Sequence, residues 1–255
     1  MAAEAYRRTY YLAAGEGTPE RTMPPGLLFA RCIEVATDHA NLLGVGFDTL
    51  IKSGQSWVLS RMVVEMTEWP RVDSNYTIET WVESLTRAFS ERNFRIFDSE
   101  GRVAGYARST WVVIDLERRT LADISRFDAL RQAILADIAC PIAPCGRHRP
   151  LGSDAVAAIT RRFAYSDIDS NRHVNTVRYV EMLTDCFTPD FHAANPIARL
   201  EVSFMRECTY GEEATIYLAP DGHAELRVNG ERRIHFKLAT AGKNAEFRLA
   251  DETNF

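Results

Sequence analysis

A stretch of helical periodicity followed by several stretches of strand periodicity occurs twice in this chain, and any fold must satisfy both copies. From Leu27 to Leu43 apolar residues recur at Leu28, Cys32, Val35, Ala36, Leu42 and Leu43, with Pro24–Pro25 just before and Gly44 just after. That is one buried helix face with start and stop residues at its ends. Strand patterns follow at Trp57–Met66, Tyr76–Glu83, Asn93–Phe97 and Val103–Ile114, rich in aromatic and β-branched residues, with Asp98–Ser99–Glu100–Gly101 as a turn. The order then returns. Asn175–Phe187 carries Val177, Val180, Met182 and Leu183 at helical spacing, and strand patterns follow at Ala198–Arg206, Ala214–Leu218, Ala224–Val228, Arg232–Ala239 and Glu246–Leu249. Asp221–Gly222 and Asn229–Gly230 between them are hairpin turn signals.

The copies can be laid over each other. Val64 falls on Val202 and Ile78 on Ile216, both 138 residues apart, and at that offset Phe29–Leu43 falls on Asp167–Glu181. The repeat is one of layout, since few identities survive. A helix followed by antiparallel strands, twice, predicts an α+β fold in which each sheet curls round its own helix. The 255 residues, 46% of them hydrophobic, suffice for two such units. The expected boundaries are a first unit over 1–127, a connector over 128–160 and a second unit over 161–255. The connector holds one helical pattern, Asp128–Ile138, and the breakers Pro141, Pro144, Gly146, Pro150 and Gly152.

Net charge is −5, which gives no footprint for nucleic acid. No stretch approaches the roughly 20 apolar residues that span a bilayer, and the first residues lack the apolar run of a secretory signal. The five cysteines Cys32, Cys140, Cys145, Cys186 and Cys208 are scattered, which points to free thiols in a reducing cytoplasm. The six histidines show no ligand spacing, which argues against a metal hydrolase, and no cofactor is expected.

The densest polar cluster is Asp167–Ile168–Asp169–Ser170–Asn171–Arg172–His173–Val174–Asn175, just ahead of the second helix. Asp169, Asn171, His173 and Asn175 occupy alternate positions and would share one face of an extended segment. Imidazole moves protons near neutral pH, an amide can donate to a developing oxyanion, and a carboxylate can orient the imidazole. The competing reading is a helix N-terminus, where Asp, Ser and Asn are common caps; it accounts for Asn175 or Ser170. Arg206–Glu207–Cys208 ends the strand IARLEVSFMREC. In a regular strand Cys208 shares the apolar face with Leu200, Val202 and Phe204, and Glu207 takes the other; a bulge would exchange them. At the 138 offset His173 falls on Val35 and Glu207 on Trp69, so the first half lacks this polar set.

These residues resemble the acyl–acyl-carrier-protein (acyl-ACP) thioesterases of plants and bacteria, over roughly Tyr6 to Phe247. WVLSRMVVE at Trp57–Glu65 and IETWVES at Ile78–Ser84, with the surroundings of Arg92, Trp111 and Val112, look like the family's first-half strands. DIDSNRHVNTVRYVEML resembles its D-x-D-x-N-x-H-x-N-N-x-x-Y block, and Arg206–Glu207–Cys208 its R-E-C. Thr176 departs from the plant pattern, which has a second Asn there. The resemblance implies two fused hot-dog units and hydrolysis of fatty acyl-ACP thioesters. It also implies a catalytic set of Asp169, Asn171 and His173, with Glu207 as general base and Cys208 as the alternative nucleophile. The plant proteins carry a plastid transit segment for which this chain has no room, so a bacterial, cytoplasmic form is expected.

Further expectations follow. Trp57, Met62, Trp81 and Phe89 would line an apolar tunnel for the fatty acyl-phosphopantetheine substrate. Arg147, His148, Arg149, Arg161 and Arg162 are candidate contacts for the acidic carrier protein. A monomer and a homodimer of the whole chain both fit. An acyl-CoA thioesterase, a hot-dog dehydratase and a non-catalytic acyl-binding protein are the rival functions.

Overall fold

The computed structural model describes residues 4–242 and Phe247. Strand β1 (Tyr6–Leu12) precedes helix α1 (Pro25–Leu42) and the short α2 (Phe47–Leu50). Strands β2 (Gln55–Met66), β3 (Ser74–Leu85), β4 (Ser90–Phe97), β5 (Val103–Asp115) and the two-residue β6 (Thr120–Leu121) follow. After α3 (Asp128–Gln132) the second half runs through β7 (Val156–Arg162), α4 (Thr176–Thr184), α5 (Pro189–Ala194), β8 (Ile197–Phe204), β9 (Glu213–Leu218), β10 (His223–Val228) and β11 (Glu231–Thr240). The expected strand Glu246–Leu249 lies outside the described residues apart from Phe247.

The sheet runs β1-β3-β4-β5-β2-β8-β11-β10-β9-β7, with β6 paired to β5. Each half therefore uses one strand order, and the halves meet where β2 lies antiparallel to β8. The centre of that pairing is Val63 opposite Glu201, two residues 138 apart in sequence, so the offset read from the sequence is the relation across the junction. Apolar residues on one face of this sheet pack against α1 and α4, giving the α+β architecture of two hot-dog units.

Helix α1 buries Leu28, Phe29, Cys32, Val35, Ala36 and His39, the stripe that its periodicity predicts. Pro25 sits at its first position, where a missing N–H costs nothing. It ends in a left-handed Gly44 (φ 70°), with Gly44 N–H donating to Asn41 and Val45 N–H to Ala40. Gly26 lets α1 approach α4 closely, since a Cβ there would stand 3.1 Å from Val177 Cγ1. Asn229 and Gly230 take positive φ in the β10–β11 turn, as their hairpin signal requires.

Four expectations need correction. Strands β1 and β7 were not foreseen; each is paired on one side only, to β3 and β9, and Tyr6–Leu12 buries just Tyr10 and Leu12. Because β7 starts at Val156, the second half begins its sheet inside the expected connector. The connector helix stops at Gln132, because Ile134 bridges to Val82 and Leu135 N–H donates to the Val82 carbonyl, drawing the chain into extended form. The overlay of helices also fails. Helix α4 has nine residues against 18 in α1, so Thr176, not Asp167, starts the second helix, and the polar cluster precedes it. Its first-half counterpart is the segment 13–24 between β1 and α1, not the middle of α1 where Val35 lies.

Candidate active site

The polar cluster is a tight loop, not an extended segment. Ile168 and Val174 bridge, Asp169 N–H donates to the His173 carbonyl (2.8 Å), and Arg172 turns the chain with φ 65°. The alternation at 169, 171, 173 and 175 therefore does not make one face. Asp169 Oδ1 accepts from the backbone N–H of Asn171 (2.8 Å) and of His173 (3.3 Å), so this carboxylate shapes the loop that presents the other two. Asn175 caps α4, its Oδ1 accepting from Val177 N–H at 3.0 Å; the cap reading holds for this residue.

The loop is anchored from both sides. Val174 N–H donates to the Cys208 carbonyl (2.8 Å), which brings the chain after β8 against it. Asn175 N–H donates to the carbonyl of Asp167, whose buried carboxylate accepts from Arg161 and from Ala164 N–H. That anchorage places Glu207 beside His173, with Oε1 3.9 Å from Nε2. The separation exceeds a hydrogen bond, and both side chains are about two-fifths exposed, 42% for His173 and 40% for Glu207. Arg119, in the turn between β5 and β6, donates to Glu207 Oε1 at 3.2 Å. Partial burial opposes ionisation of Glu207, but a backbone N–H, His173 and Arg119 outweigh it and hold the carboxyl below its ordinary value.

Cys208 faces the other way. Its side chain is fully buried in the apolar core, its N–H donates to the Tyr179 hydroxyl at 2.9 Å, and burial pushes its thiol up to about 11. Strand β8 ends at Phe204, yet the facing expected for Glu207 and Cys208 is kept.

A cavity of about 540 Å³ reaches the loop at Asp169, Ser170, Asn171 and Thr176 and extends under α1 in the first half. Ile33 and Ala36 of α1, Trp57 and Leu59 of β2, Trp111 of β5 and Leu130 of α3 wall it. Of the tunnel residues expected from sequence only Trp57 lines it. Met62 belongs to the main core, and Trp81 lies on the outer face of the sheet, where its Nε1–H donates to the Ile138 carbonyl at 3.1 Å. Phe89 sits in the turn between β3 and β4 and is not part of the wall either.

The basic candidates are dispersed. Arg161 is held by buried Asp167, and exposed Arg162 lies 3.7 Å from Glu213. Arg147 and Arg149 are exposed on the connector, which Gly146 N–H ties to Glu201 on the sheet face away from α4. Arg119 was missed as a site residue, and no local signal could have found it, because it is 88 residues from Glu207. Among the described residues no group of three or more His, Cys, Asp or Glu is placed to hold a metal ion, and no helix is long and apolar enough to cross a membrane.

The family model for the acyl-ACP thioesterase N-terminal domain matches residues 3–128, and that for the C-terminal domain matches residues 154–246. A solved acyl-ACP thioesterase structure from Bacteroides thetaiotaomicron superposes with a TM-score of 0.85 at 30% identity, covering 92% of this chain and 97% of that one. The 12:0-ACP thioesterase of Umbellularia californica has the same fold (TM-score 0.82, 19% identity, 94% and 98% covered). The chloroplastic oleoyl-acyl carrier protein thioesterase of Coriandrum sativum is 26% identical over 250 residues, 84% of this chain and 66% of that protein. A chloroplastic palmitoyl-acyl carrier protein thioesterase of Cuphea hookeriana is 24% identical over 83% of this chain, which spans 53% of that relative's length.

Proposed function

The chain belongs to the acyl-ACP thioesterase family, and on that premise we propose that it hydrolyses fatty acyl-ACP thioesters to free fatty acid and holo-ACP, ending chain elongation in fatty acid biosynthesis. The observation that carries the reading is a largely apolar cavity of one half that reaches Asp169–Asn171 of the other half's loop, the loop that also carries His173 beside Glu207. The acyl chain occupies the cavity, and the thioester lies at its Asp169–Asn171 end.

Glu207 and His173 are too far apart for a direct hydrogen bond, and each can hold the same water between them. A carboxylate kept ionised takes the water's proton as the oxygen attacks the carbonyl carbon. The Asn171 side chain stabilises the oxyanion, and the thiolate of phosphopantetheine leaves. Asp169 acts through the loop it holds. A covalent route through Cys208 is disfavoured, because a thiol raised to about 11 offers little thiolate at neutral pH.

The acidic carrier protein docks through exposed cations, for which Arg147, Arg149 and Arg162 are candidates; charge reversal at each should raise KM for acyl-ACP, and an unchanged KM dismisses that residue. The five free cysteines support a reducing compartment such as the cytoplasm, which fractionation would test. Since the two units already pair through β2 and β8, the site needs no second copy; light scattering would distinguish a monomer from a homodimer.

The decisive experiment is hydrolysis of matched acyl-ACP and acyl-CoA series by wild type, His173→Ala and Cys208→Ser. Release from ACP that depends on His173 and survives in Cys208→Ser is expected. Equal or faster release from CoA would move the assignment to acyl-CoA thioesterase. No release from either would leave an acyl-binding protein.

A further inference from the structure

Six Asp, Glu or Arg side chains among the described residues are buried: Glu79, Arg92, Asp167, Glu201, Glu225 and Arg233. Five of them hold ion pairs, Glu79 with Arg95, Asp167 with Arg161, Glu201 with Arg199, Glu225 with Arg227 and Arg233 with Glu212. Arg92 has no carboxylate partner among the described residues, and it lines the cavity. A buried cation without a counter-ion is costly, so a cavity wall that keeps one invites an anion to complete it.

The guanidinium is already oriented. Its Nη1 donates to His39 Nδ1 (2.9 Å) and to Thr80 Oγ1 (3.2 Å). His39 stacks on Tyr6 with ring centroids 5.8 Å apart, and burial with the neighbouring Arg92 cation lowers its pKa to about 4, so the ring accepts as a neutral imidazole and offers no compensating charge. Burial lowers Arg92 itself only to about 10, which leaves it charged at neutral pH. No protein acceptor among the described residues meets its Nε–H or Nη2–H bonds. That edge of a guanidinium matches the two oxygens of a carboxylate. Arg92 lies on β4, which β5 separates from β2, so it stands about 10 Å across the sheet from the strand that borders the second half. The cavity thus touches the second half at Asp169–Asn171 and the first half at Arg92 on β4, two strands from the junction.

We propose that the cavity accepts acyl chains ending in a carboxylate, with Arg92 binding that distal group while the thioester lies at the Asp169–Asn171 loop. The inference rests on the acyl-thioesterase reading only for the group at the other end of the chain.

The test compares ω-carboxyacyl-ACP with methyl-ended acyl-ACP of equal length, in wild type, Arg92→Met and Arg92→Lys. A carboxylate held by two charge-assisted hydrogen bonds should favour the ω-carboxy substrate at least about tenfold in kcat/KM. Arg92→Met should abolish that preference, and Arg92→Lys, which keeps the charge but loses the fork, should restore it in part. A wild-type ratio near one, or a ratio that neither substitution moves, overturns the inference. Calorimetric binding of non-hydrolysable thioether analogues to wild type, one carboxylate-ended and one methyl-ended, decides the matter without turnover or folded variants. Tighter binding of the carboxylate-ended analogue by a protein that cleaves no thioester would sink the hydrolase reading and keep this one. Equal binding of the two analogues, or a free monocarboxylic acid binding as tightly as the carboxylate-ended analogue, would overturn it, the latter by assigning Arg92 to a product headgroup.

Discussion

In the first half an 18-residue helix lies across a sheet whose strands β2, β3 and β5 have 12, 12 and 13 residues; in the second, a nine-residue helix lies across β8, β9 and β11 of 8, 6 and 10 residues. The extra length gives the first half room for the cavity and for two small apolar clusters near it, centred on Val82 with Leu130 and on Val113 with Ile124. The approaches to the two helices are variations on one design. Each has a short 3₁₀ turn, Ala14–Glu16 or Tyr165–Asp167, whose acidic residue accepts from the backbone N–H three residues back and pairs with an arginine. After that turn the first half continues with Gly17–Thr18–Pro19–Glu20–Arg21–Thr22 and the second with the Asp169–His173 loop. On the proposed function, one framework is specialised by strand and helix length for holding a chain, and by a few loop residues for chemistry. The division is incomplete, since Arg119 of the first half reaches Glu207 of the second and Asn171 of the second lines the first half's cavity.

The largest effect should come from removing the base proposed for the second half. Glu207→Ala is expected to lower kcat about 10²–10⁴-fold, while Trp69→Ala, at the position 138 residues earlier, should leave a folded enzyme with far more activity. Steady-state rates beside melting curves make the comparison, and equal losses would erase the division of labour. Next come the two cores. Phe29→Ala under α1 should cost about 3–5 kcal/mol and Leu183→Ala in α4 about 2–5 kcal/mol, because both are fully buried. Denaturant titration would show it, and a negligible cost at Phe29 would mean that α1 is a loosely held cover over the cavity. A smaller effect, about 1 kcal/mol, is expected from Asn175→Ala, which removes the cap of α4; no loss of stability would separate the loop from the helix it precedes.

The smallest effect tests the link between the halves. Arg119 helps to hold the Glu207 carboxyl low, so Arg119→Ala should raise it toward its ordinary value. A base acts when deprotonated, so the acid limb of the kcat/KM profile should move to higher pH, with little change in the alkaline range. Arg119→Lys should return the limb part of the way, and an unmoved limb would remove Arg119 from the site.

Much of the fold was legible because its signals are local. The stripe at Leu28, Cys32, Val35 and Ala36 can be satisfied only by a helix with one buried face, and Asn229–Gly230 only by a tight hairpin. The edge strands escaped notice for the opposite reason. Tyr6–Leu12 carries two arginines and buries only two residues, so its identity as a strand comes from its partner β3, some 70 residues away. The polar cluster also announced itself by composition, but its shape did not, since Asp169 folds back on Asn171 and His173 instead of aligning with them.

The sequence by itself determined the two-unit repeat, the core faces of its main helices and strands, and the residues fit for chemistry ahead of the second helix, because periodicity and side-chain chemistry act over a few neighbouring residues. Only the tertiary structure decided that β2 and β8 join the units, that Arg119 meets Glu207, and that Arg92 lines the cavity without a counter-ion. Those relations depend on which distant segments share the sheet and in what register, which no local pattern encodes.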